Sequence, residues 1–60
     1  MEVYSINQDG VKFSLIEERG FNGRNRYTIL ANGRQLRPYF EADNRDVAIS
    51  RLETEARAYL

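Results

Sequence analysis

Eight arginines and one lysine are the chemically distinctive side chains of this 60-residue chain, set against nine carboxylates and no histidine or cysteine. Without histidine the commonest general base and metal ligand is missing. Without cysteine there is no thiolate nucleophile, no disulfide and no thiolate zinc site. Glu17 and Glu18 are adjacent, and neighbouring side chains on a strand point to opposite faces, so they make no carboxylate pair. Asp43 and Asp46 are accounted for by a helix start, and Ser5, Ser14 and Ser50 have no imidazole to activate them. Gly20 and Gly23 are too sparse for a phosphate-cradling loop. The expectation is a protein that is not an enzyme and takes neither metal nor cofactor. What remains is the chemistry of the guanidinium group, a planar fork suited to carboxylate and phosphate.

The net charge is zero, but the charges are segregated. Residues 1–18 carry four acids against Lys12. Residues 19–37 carry five arginines (Arg19, Arg24, Arg26, Arg34 and Arg37) and no acid. Residues 38–60 carry five acids against three arginines.

The elements that position these charges follow from turn chemistry and periodicity. Asn32-Gly33 is a strong signal for a two-residue type I′ hairpin turn, in which both positions need positive φ. Such a turn sets Leu30 opposite Gln35, Ile29 opposite Leu36, Tyr27 opposite Pro38, Arg26 opposite Tyr39 and Asn25 opposite Phe40. Residues 34–40 then form an edge strand, because Pro38 cannot donate to a ladder. Upstream, residues 11–16 alternate, with Val11, Phe13 and Leu15 inward, and residues 20–23 read as a loop. Asp9-Gly10 is a second hairpin candidate that would add Val3–Ile6 as a first strand. After Phe40 the period changes. Asp43 can cap a helix from about residue 44, and Ala48, Ile49, Leu52, Ala56, Tyr59 and Leu60 make its apolar stripe. The fold expected is α+β, a single two-layer domain over residues 1–60. In it an antiparallel meander of three strands, or four with Val3–Ile6, packs on one C-terminal helix. Phe13, Leu15, Tyr27, Ile29, Leu36, Phe40, Ile49 and Leu52 are its expected core.

One helix covers one sheet face. The register sends Lys12, Ser14, Ile16, Arg24, Arg26, Thr28, Leu30, Gln35, Arg37 and Tyr39 to the other, a face with four cations and no acid. Cations neutralise phosphates, arginine reads guanine edges, and Tyr39 can stack on a base or on Arg26. The candidate binding residues are therefore Lys12, Arg24, Arg26, Arg37 and Tyr39. Phe21, between two glycines, either folds back onto the core or stands out as an anchor, and the small apolar supply favours folding back. Nucleic acid is the more specific partner for such a face, an acidic protein surface the other. A polar sheet face also needs no partner at all, since edge cations deter aggregation. Ile16 and Leu30 point instead to a protein contact, as a small interaction or inhibitor protein would make. The basic middle and the acidic helix also allow a homodimer.

The layout of Tyr27-Thr28-Ile29, Asn32-Gly33, Phe40 and a capped helix with Ala48 resembles the AP2 and integrase N-terminal class of DNA-binding domains, a three-stranded sheet followed by one helix. The resemblance covers roughly residues 11–60 and implies that Arg24, Arg26, Arg37 and Tyr39 contact DNA. The chain departs from that class in its neutral charge, its acid-rich helix and its lack of tryptophan. No apolar run approaches the roughly 20 residues of a membrane span, so no membrane partner is expected. Met1-Glu2-Val3-Tyr4 shows neither basic leader nor apolar core of a signal peptide, which makes the cytoplasm the expected location.

Overall fold

The computed structural model describes residues 1–59 and is built on three tight turns of one kind. Asp9-Gly10, Asn22-Gly23 and Asn32-Gly33 each place two consecutive residues at positive φ, between 49° and 83°. An Asx-Gly pair is the cheapest way to do this, because Asn and Asp tolerate the left-handed region and glycine has no Cβ to clash. The turns join strands β1 (Glu2–Gln8), β2 (Val11–Arg19), β3 (Asn25–Ala31) and β4 (Arg34–Gln35) in consecutive order, all antiparallel. The expected first strand is present and longer than Val3–Ile6. The Asn32 turn is also tied back to β2: its backbone N–H donates to the Lys12 carbonyl at 2.8 Å, and its Oδ1 accepts from the Lys12 N–H at 3.0 Å.

The hairpin at Asn32-Gly33 has the expected register as far as Leu30 opposite Gln35. Beyond it the strand breaks. Residues 37–39 leave the ladder around Pro38, and β5 (Phe40–Ala42) rejoins β3 with Phe40 opposite Tyr27, Glu41 opposite Arg26 and Ala42 opposite Asn25. Pairing has slipped by two residues from the expected Tyr27–Pro38 match. Because side chains alternate with a period of two, a slip of two keeps every residue on its face. Phe40 therefore still stacks on Tyr27, with ring centroids 5.8 Å apart.

Helix α1 (Arg45–Ala58) lies across the face formed by Phe13, Leu15, Tyr27 and Ile29. Its buried stripe is Ala48, Leu52 and Ala56, so small residues let the helix approach and the strands supply the bulk. Tyr27, Phe13, Leu15 and Leu52 are the largest fully buried side chains. Ala31 and Ala42 complete the core, and Leu36, Phe40 and Ile49 pack against it half-buried. Tyr59 ends the helix, and its ring packs at right angles to that of Phe13 with centroids 5.2 Å apart. Leu60 lies outside the described residues. The cap is Asn44 rather than Asp43: Asn44 Oδ1 accepts from the Val47 N–H at 3.0 Å, while Asp43 is drawn to Arg24. Asn44→Ala should therefore lower stability by about 1 kcal/mol. Asp43→Ala, which removes only an exposed ion pair, should change it much less, as read from urea midpoints.

Candidate binding face of the sheet

The sheet face away from the helix is set by the strand registers. Across β1, β2 and β3 it carries Ser5 opposite Ser14, Asn7 opposite Lys12, Ile16 opposite Thr28, Ser14 opposite Leu30 and Glu18 opposite Arg26. On the far side of Arg26 stands Glu41. Three acids thus belong to a face expected to hold none. All three arrive because the strands extend beyond their expected ends, and the two-residue slip sets Glu41 opposite Arg26 instead of Arg24.

Among the described residues, five of the nine cations lie between 3.0 and 3.9 Å from a carboxylate. Lys12 reaches Glu2 along the open face, and Ser14, which lies between them in the sheet, is only 6% exposed. Arg24 precedes β3, pairs with Asp43 at 3.1 Å and donates to the Glu41 carbonyl at 3.4 Å, so it laces the end of β5 to β3. Arg37 is not on the open face. It lies in the break between β4 and β5, and its Nε donates to Glu55 of the helix at 3.0 Å. The break released it from the alternation that would have sent it outward.

Arg26 and Tyr39 come together as expected, though they are no longer cross-strand partners. The guanidinium carbon stands 4.1 Å from the centre of the Tyr39 ring. Arg26 Nε is buried and makes no hydrogen bond, while Tyr39 is 51% exposed. Phe21 does not fold back. It is 80% exposed, beyond the last β2–β3 pair, Arg19 opposite Asn25. The signal that could have shown this is Asn22-Gly23: the turn closes with the Arg24 N–H on the Phe21 carbonyl at 3.0 Å, so the loop is tight and Phe21 sits at its first corner. Gly20 is equally constrained, because a Cβ there would stand 2.5 Å from the Arg24 carbonyl oxygen. Of the candidate residues, Arg26, Tyr39 and Lys12 share the open face, Phe21 and Arg24 occupy the loop at its end, and Arg37 belongs to the helix side.

The shifted titrations lie elsewhere. Glu17 points toward the helix layer and accepts from the Tyr27 hydroxyl at 2.8 Å and from Arg45 Nε and Nη2 at 3.2 and 3.1 Å. The Arg45 fork, then the Tyr27 bond, hold its carboxyl below the usual range. Burial, and then the same bond, push the Tyr27 phenol up. These three residues join β2, β3 and the helix start, a structural role that sequence spacing did not disclose. A concavity of about 280 Å³ is lined by Leu36, Arg37, Glu55, Ala58 and Tyr59, but its one acid is already shared by Arg37 and Arg51. Among the described residues no group of three or more acids or other ligands is placed to hold a metal ion, and no helix is long and apolar enough to cross a membrane.

Comparison of the chain with protein families, with curated proteins and with solved structures finds no match to any of them.

Proposed function

We propose that this chain is a non-enzymatic protein-binding module that engages its partner through the open sheet face and the Phe21 corner. The observation that carries this reading is the composition of the face. Its middle is Ile16, Thr28 and Leu30, its charges are of both signs, and an exposed phenylalanine stands at one end. Protein interfaces have this pattern: aromatic and arginine anchors around an apolar centre, with a mixed polar rim. The Arg26–Tyr39 pair supplies such an anchor.

A phosphate-binding face has weaker support, since Lys12 and Arg24 are already matched to acids and Arg26 stands between Glu18 and Glu41. Salt separates the two partners. A photo-crosslinking amino acid at position 21, used in the native host, should capture a defined protein. Affinity for that protein should fall at least about tenfold with Phe21→Ala or Leu30→Lys and change little between about 50 and 200 mM salt. Binding instead to a short duplex or single strand, weakening by orders of magnitude over that range, would replace the protein reading with a nucleic-acid one.

A further inference from the structure

The two edges of the sheet are unlike. On the β4–β5 side the strand is broken, Pro38 sits in the break, and arginines flank it. These are the usual devices that stop another chain from pairing. On the β1 side the one such device is a bulge between Glu2 and Tyr4, and from Tyr4 to Gln8 the strand pairs with β2 in unbroken register. β1 runs for seven residues with no proline and no lysine, and Glu2 is its only charge. No described element pairs with its outer side.

The direction of the β1 backbone can be deduced. Lys12 exchanges both of its main-chain hydrogen bonds with Asn32, so its N–H and C=O point to β3. Alternation makes Ser14 do the same. Asn7 and Ser5, opposite Lys12 and Ser14, therefore turn their N–H and C=O away from β2, outward from the sheet.

We propose that β1 pairs antiparallel with β1 of a second copy of this chain, about a two-fold axis at Ser5. Centred there, within the regular stretch from Tyr4 to Gln8, Ser5 faces Ser5 of the copy and Tyr4 faces Ile6 on either side of the axis. No charge meets its like. The two outward-pointing serine backbones exchange both hydrogen bonds. Tyr4 and Ile6, on the helix side and only half-buried in one chain, cover each other across the junction. In-plane pairing puts both helices on one face of a doubled sheet and merges the two open faces on the other. This pairing stands whether or not the open face binds a protein.

Ser5 is exposed and on the axis, which makes it the residue to change. By sedimentation equilibrium up to about 1 mM protein, the unaltered chain should be a dimer and Ser5→Lys a folded monomer, its fold checked by circular dichroism. Ser5→Glu should also be monomeric, and an equimolar mixture with Ser5→Lys should regain the dimer mass. The natural chain has no cysteine, so Ser5→Cys carries a single thiol. Hydrogen-bonded strand partners lie about 5.5 Å apart, within cystine reach. Ser5→Cys should thus oxidise to a linked dimer far faster than Ser50→Cys, on the exposed helix face. A monomeric natural chain at every concentration would overturn the pairing and leave the edge to some other extended peptide. A dimer that survives Ser5→Lys, or equal crosslinking at both positions, would place the contact elsewhere.

Discussion

Leu52→Ala should leave the chain largely unfolded at 25 °C. Leu52 is fully buried and is the one bulky side chain among the three residues that α1 buries. Removing a buried leucine down to alanine costs about 2–5 kcal/mol. A domain of this size has only about 3–9 kcal/mol in total, at about 0.05–0.15 kcal/mol per residue. The neighbouring alanines cannot swell to fill the gap, and the strands below are held by their ladder. Circular dichroism and urea titration should show most of the helical signal lost, while Ser50→Ala on the exposed face should melt like the natural chain.

Glu17→Ala should also destabilise the fold, although it removes no core side chain. Tyr27 is fully buried, and its hydroxyl donates to Glu17. Leaving a buried hydroxyl unpaired costs about 1–3 kcal/mol. The same change frees Arg45 from the junction between β2 and the helix start. Tyr27→Phe, which removes the donor along with the need for an acceptor, should cost less. The linkage to pH has two limbs. Glu17 has its folded pKa depressed, so its contribution is whole above the unfolded carboxylate value, near 4.5, and drains away as pH falls through the lower folded value. Tyr27 has its folded pKa raised, so its contribution is whole below about pH 10 and is lost as pH climbs through the higher folded value. Urea midpoints against pH should fall at both ends. Glu17→Gln should flatten the acid limb, and Tyr27→Phe should remove its part of the alkaline one.

The parts of the fold legible in the sequence are those that local chemistry dictates. Asn32-Gly33 fixes a turn and, with it, the register through Gln35; Asp9-Gly10 predicts the β1–β2 hairpin; the three-four spacing of Ala48, Ile49, Leu52 and Ala56 predicts the helix and its buried side. What was not legible depends on partners distant in the chain. Pro38 marks an edge strand, but not that residues 37–39 would leave the ladder and bring Glu41 beside Arg26. Asp43 and Asn44 are both competent caps, and the choice is made by Arg24, which engages Asp43 from the loop before β3. Glu17 looks like an unpaired strand acid until Tyr27, ten residues away, and Arg45, twenty-eight away, converge on it. The open face was legible in its aromatic and its central arginine, and illegible in its acids, because strand ends are where periodicity gives least warning.

The consecutive order of the strands bears on how the chain is made. Each strand meets its neighbour as soon as a short turn closes, so the sheet can assemble on the ribosome at little cost in loop entropy. The helix is synthesised after all of them, and until it emerges Phe13, Leu15 and Tyr27 have nothing above them but water. For that interval the nascent sheet has a greasy side as well as a bare β1 edge, and it is then that a chaperone, or a neighbouring nascent copy, finds most to hold.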